Sequence, residues 1–108
     1  MKKLIAIALM IPGLAQAEFI NGNDLLSRIN GDGGAPMYAL GYIAGVSDTY
    51  YKILICPPEG VNLGQMRDMV RSHLMLNPEI RHHSADSLVV NVLKTAFPCK
   101  RSEEHTSE

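Results

Sequence analysis

The sequence predicts an all-α fold, a small four-helix domain closed by one disulfide. Three observations predict it. Apolar residues return at three- and four-residue spacing in separate stretches, which is the period of one helical face. No stretch of useful length alternates apolar and polar residues as a half-buried strand would; Ile53-Leu54-Ile55 is too short to count. The chain also holds only two cysteines, Cys56 and Cys99, behind an N-terminal segment that reads as an export signal.

That segment comes first. Lys2 and Lys3 supply a positive start, residues 4–14 a short apolar run, and Ala15-Gln16-Ala17 a small-residue cleavage site. The run is shorter than the 20 or so residues that a spanning helix needs, and Pro12-Gly13 interrupts it. Residues 1–17 therefore read as a cleavable signal peptide. Glu18 follows the cut rather than a cysteine, so no lipid anchor is expected. At the other end, residues 101–108 resemble the translation of a sequencing-library adapter and are set aside from fold reasoning. The domain is then residues 18–100. Seven basic and eight acidic side chains nearly cancel there. Nucleic acid and anionic membranes call for a basic patch, and none is present.

The first helix starts at Asn23, a capping residue before Asp24-Leu25-Leu26, and stops at Asn30-Gly31-Asp32-Gly33-Gly34. Pro36 suits the first turn of the second. Met37, Leu40, Ile43, Ala44, Tyr50, Ile53 and Leu54 carry that helix to Cys56-Pro57-Pro58, where two prolines end it. Gly41 and Gly45 share one of its faces and suggest close approach by another helix. Asn62 caps the third, whose stripe is Leu63, Met66, Val70, His73 and Leu74. Asn77-Pro78-Glu79 reads as a cap opening one brief turn. Ser84 caps the last, in which Ala85, Leu88, Val89, Val92, Leu93, Ala96 and Phe97 keep the period until Pro98.

A domain this small needs a staple. Outside the cytosol Cys56 and Cys99 are expected to pair. Free thiols fit that compartment less well, and the spacing matches no zinc pattern. The bridge closes a loop of roughly 44 residues, contributing about 4 kcal/mol by loop-closure entropy.

Catalytic chemistry is scarce. His82-His83 with Arg81 and Glu79 invites a metal reading, but no ligand spacing of the His-Glu-x-x-His kind occurs. Gly31-Asp32-Gly33-Gly34 lacks the Lys-Ser/Thr of a phosphate loop, and no Gly-x-Ser-x-Gly elbow exists. Neither catalytic residues nor a metal nor a cofactor are expected; the protein reads as a binder, not an enzyme.

Three segments, in order, carry a resemblance. Gly41-Tyr42-Ile43-Ala44-Gly45-Val46-Ser47-Asp48 is the first, and Cys56-Pro57-Pro58-Glu59-Gly60-Val61-Asn62-Leu63-Gly64-Gln65 the second. The third runs from Asn77-Pro78-Glu79-Ile80-Arg81-His82 through Ser87-Leu88-Val89 to Ala96-Phe97-Pro98-Cys99. Together they resemble the Rap/Tai family of immunity proteins associated with type VI secretion, from about Asn23 to Cys99. The resemblance implies a small periplasmic helical protein that binds and blocks a peptidoglycan-cleaving amidase toxin, and it implies homodimers. Relatives often carry a second cysteine pair, at places that here hold Ile29 and Ala39. An apolar contact is expected to stand in for that bridge.

The expected function is occlusion of an amidase's active-site cleft by an exported inhibitor. Interface anchors are rich in aromatic and arginine side chains, which nominates Tyr50, Tyr51, Glu59, Arg81 and His82 as partner-facing residues. The alternative is a periplasmic acid-stress holdase, with the histidines as protonation switches near pH 6.

Overall fold

The computed structural model describes residues 19–100. The expected signal peptide, residues 1–17, and the octapeptide 101–108 both lie outside the described residues. Among the described residues four α-helices follow one another: α1 (Gly22–Ile29), α2 (Ala35–Tyr50), α3 (Leu63–Leu76) and α4 (Ala85–Ala96). A 3-10 turn, Pro78–Ile80, joins the last two. Among the described residues there is no strand, only two isolated bridges, Asn21 with Ser84 and Tyr51 with Ile55. Cys56 and Cys99 are bonded at 2.00 Å, 43 residues apart. The all-α reading and its single staple hold.

Each helix packs against the other three. They enclose one core, made of Leu25 and Ile29, Ala39 and Ile43, Met66, Val70 and Leu74, and Ala85, Leu88, Val89 and Leu93, with Ile55 entering from the loop after α2. The apolar stripes read from the sequence supply the core residues of α3 and α4, but of the stripe read for α2 only Ile43 is in the core, and Ile29, Ala39 and Ile55 belong to no stripe. Ile29 and Ala39 are both in this core, so the two positions are filled by apolar burial, as expected. Ser47 is the one buried polar residue among the described residues, and its hydroxyl donates to the Met66 sulfur at 3.4 Å.

The helix starts need three corrections and one addition. Helix α1 is capped by Asn21, not Asn23. The Asp24 N–H donates to Asn21 Oδ1 at 2.9 Å, and the Asn21 N–H donates to Asp24 Oδ2 at 3.0 Å. A reciprocal box needs an acceptor side chain three residues after the cap. Asn21 has Asp24 there, whereas Asn23 would have Leu26. Helix α3 starts at Asn62 as expected, and Gln65 completes the same box, with bonds of 2.8 and 2.9 Å. Asn77 makes no side-chain cap on the 3-10 turn; it closes α3 instead, its side-chain amide donating back to the His73 carbonyl at 2.9 Å. Ser84 stands at the N-cap of α4 but its hydroxyl meets Ser87 instead of a helix N–H.

Helix α2 ends at Tyr50, seven residues before the first of the prolines expected to end it. The chain leaves the helix at Tyr51, and Lys52 adopts a left-handed φ of 65°. Burial explains the early stop. Continued helically, Ile55 would point about 120° away from Ile43 on the inner face; breaking the helix instead puts Ile55 fully into the core. A second correction concerns the glycines. Among the described residues no helix approaches Gly41 or Gly45: a methyl group on either would meet nothing within 4 Å.

Candidate functional site

The segment between α2 and the disulfide is built as a rigid knuckle. Three N–H groups, those of Ile53, Leu54 and Ile55, donate to the single carbonyl of Tyr50 at 3.0, 3.0 and 3.1 Å. The Lys52 N–H donates to the Ile55 carbonyl at 2.9 Å and closes the loop on itself. One residue further, the Cys56 N–H donates to the Phe97 carbonyl at 2.8 Å, beside the bridge to Cys99. The stem is thus held by buried Ile55, a backbone bond and a covalent bond. The left-handed Lys52 costs about 1 kcal/mol for a residue with a Cβ, and strain of this kind gathers at binding and switch sites.

What the knuckle presents is apolar. Ile53 is 68% exposed, Tyr51 51% and Leu54 37%. Lys52 lays its ammonium 5.5 Å from the centre of the Tyr51 ring. Two grooves border the loop. Ile53, Leu54, Lys94, Pro98 and Cys99 line one, and Tyr51 lines the other with Ala44, Asp48, Pro57 and Leu63. Large apolar side chains held out into water on a stiff backbone lose little entropy on binding, and such residues make interface anchors.

The five nominated residues are not gathered in one place. Tyr51 is on the knuckle. Tyr50, half-buried, turns instead into a groove along α2 with Tyr42, Val46 and Asp86. Glu59 is exposed in the turn before α3, next to Gly60, whose φ of 97° suits only glycine. His82 is exposed and stacks on His83, with ring centres 4.2 Å apart. Arg81 is half-buried, and its enclosed Nε has no hydrogen-bond partner among the described residues. Its carbonyl serves the fold, accepting the Asn23 N–H at 2.9 Å. Among the described residues no three His, Cys, Asp or Glu side chains are placed to hold a metal, and no helix is long and apolar enough to cross a membrane.

Ile53 and Leu54 were not among the nominated residues. They continue the apolar period of α2, so they read as core; the signal against that reading was Ile55, out of phase with the helix it would have belonged to.

The groove along α2 has its own electrostatics. Burial raises the Tyr42 hydroxyl above its ordinary pKa of 10.0, and the Asp86 carboxylate and Tyr38 add to the rise, against a backbone N–H of Asp86 that lowers it. Tyr42 therefore stays neutral at physiological pH, an uncharged hydroxyl beside an exposed carboxylate.

The family model described as Rap1a immunity proteins matches residues 21–99 of the chain. No curated protein matches it.

Proposed function

Since the chain belongs to the Rap1a immunity protein family, we propose that it is a periplasmic immunity protein of a type VI secretion system, which binds a peptidoglycan amidase toxin and occludes its active-site cleft. A toxin that cuts the cell wall acts in the periplasm, so its inhibitor must be exported there. The Cys56–Cys99 bridge fits such an oxidising compartment. The observation that carries the reading is the disulfide-braced knuckle, with Tyr51, Ile53 and Leu54 held into solvent. A cleft-blocking inhibitor needs a stiff protrusion with apolar anchors at its tip, and this is where the domain has one. Tyr51 is the nominated residue best placed to act there. The side chains of Tyr50, Glu59, Arg81 and His82 lie apart from the knuckle and would contribute only to a contact wider than its tip.

The test is binding to the secreted amidase encoded beside the gene. Calorimetry should give a tight complex, and the free chain should inhibit wall cleavage. Replacing both tip residues, Ile53→Asp with Leu54→Asp, should weaken the complex more than about 100-fold, the loss of two anchors. Both side chains are exposed, so the melting temperature should hold. Full affinity in that double variant would remove the knuckle from the interface. No complex with the neighbouring amidase would sink the reading itself.

Export is checked separately. Protein recovered from the periplasm should begin at Glu18 on N-terminal sequencing, with no titratable thiol. A chain retained in the cytosol with Lys2 and Lys3 still attached would contradict the proposed site of action.

A further inference from the structure

Helix α2 is 16 residues long and carries one charged side chain, Asp48. Its inner side is accounted for by Ala39, Ile43 and Ser47. Its outer side is a ridge on which Gly41, Gly45 and Thr49 follow one another, all exposed. A mid-helix glycine is a poorer helix former than alanine. Among the described residues nothing comes close enough to either glycine to need the missing methyl. The space they leave open is a groove of about 440 Å³. Tyr42, Val46 and Tyr50 wall it along α2, and the first turn of α4 contributes Asp86.

The grooves on the two sides of this ridge are both acidic. Asp86 is the charged residue lining the first, and Asp48 the charged residue lining the second; no lysine or arginine lines either. Among the described residues neither carboxylate has an ion-pair partner, the salt bridge there being Arg67 with Asp68. Arg28 and Lys52 lie against the rings of Tyr38 and Tyr51 instead. The backbone N–H of Asp86 donates to the Tyr42 hydroxyl and so fixes that ring beside the carboxylate. Both grooves also start at the knuckle: Tyr50 turns into the first and its neighbour Tyr51 into the second. A partner seated on the knuckle would therefore cover the ends of both.

We infer that the groove of Gly41, Gly45 and Asp86 receives a basic segment of the toxin, a lysine or arginine side chain lying along Val46 with its charged head between the Tyr42 ring and the Asp86 carboxylate. The bare glycines let the toxin's backbone come down onto α2 where side chains would hold it off. A cation set against both an aromatic face and a carboxylate gains from each, and closing the groove removes the water that would weaken the pair. The wall from Tyr42 to Tyr50 covers about 12 Å of helix, room for one long side chain. An enzyme that grips wall peptides bearing free carboxylates holds cations at its cleft, so a carboxylate offered there meets the charges that bind substrate. The inference rests on the toxin reading and adds to it a second contact, away from the knuckle tip and of stated charge.

Calorimetry of the exported chain with the neighbouring amidase tests it. Asp86→Asn keeps the backbone bond to Tyr42 but should raise the dissociation constant at least tenfold and flatten its dependence on salt. Asp86→Glu, which keeps the charge, should bind within about threefold of wild type. Asp68→Asn removes an exposed carboxylate outside both grooves and should change neither quantity. Gly45→Leu should melt no lower than wild type, because its side chain starts in open space, and should still lose at least tenfold in affinity. A complex as tight with Asp86→Asn and Gly45→Leu as with wild type would overturn the inference and leave the knuckle's role standing. So would a Gly45→Leu chain that changes only its own association state, since a second copy would then fill the groove. No complex with the wild type would remove the inference together with the toxin reading.

Discussion

Replacing both cysteines, Cys56→Ala with Cys99→Ala, should lower the unfolding free energy by about 4 kcal/mol. The figure follows from loop-closure entropy for a bridge spanning 43 residues. Within that loop lie α3, the 3-10 turn and α4, half of the helical body. Small domains have a total stability of about 5 to 15 kcal/mol, so the variant should populate unfolded chain measurably at 37 °C. The double change is the informative one, since a single replacement leaves a reactive thiol. Urea titration by circular dichroism reads the loss directly. Reducing agent added to the wild type should reproduce the shift, and a loss below about 1 kcal/mol would mean that the unfolded chain gains little from being cut free. Function should fall further than stability. The bridge anchors the stem of the knuckle one residue after Ile55, and a tip released from its stem must be ordered again at every encounter.

Much of the fold was legible because local and long-range demands agree over most of the chain. The stripe Met66, Val70, Leu74 and the run Ala85, Leu88, Val89, Leu93 are buried as their period requires. Asn62 was readable as a cap because nothing competes with it. Asn23 misled because three caps' worth of polar residues crowd the start of α1. The choice of Asn21 is settled partly from far along the chain: the N–H groups of Gly22 and Asn23, orphaned in the first turn, donate to the carbonyls of His83 and Arg81 at 3.0 and 2.9 Å. Those acceptors lie some 60 residues away, beyond any local pattern.

The surface was less legible, for a related reason. On an unbroken helix Leu54 would fall within about 20° of Ile43, so its apolar character argues for the core. It is exposed because Ile55 takes the core position and the bridge at Cys56 fixes where the chain must pass. Periodicity names which residues are apolar; closure of the chain decides which of them are sacrificed to water. The glycines make the same point in reverse. Gly41 and Gly45 were read as sites of close approach by another helix, but no described element fills the space.

Gly22→Ala should destabilise the domain by about 3 kcal/mol, although alanine is the better helix former. Gly22 is buried at the first position of α1. A methyl there would lie 2.6 Å from Leu88 Cδ1, 2.9 Å from the Arg81 carbonyl oxygen and 3.1 Å from the Arg81 Cα. Leu88 could swing aside only within a packed core. Arg81 offers backbone, which cannot, and moving it breaks the bond its carbonyl accepts from Asn23. Overpacking of this kind costs roughly 1 to 3 kcal/mol, and the lost hydrogen bond adds about 1 more. Gly41→Ala is the control. The same change in the middle of α2 meets empty space, so propensity alone should act and raise the stability of dilute monomer by up to about 1 kcal/mol. Urea midpoints should therefore move in opposite directions for two glycines that the sequence does not tell apart. If both variants shifted the same way, the tight seat of α1 against the turn before α4 would not be what holds the first helix in place.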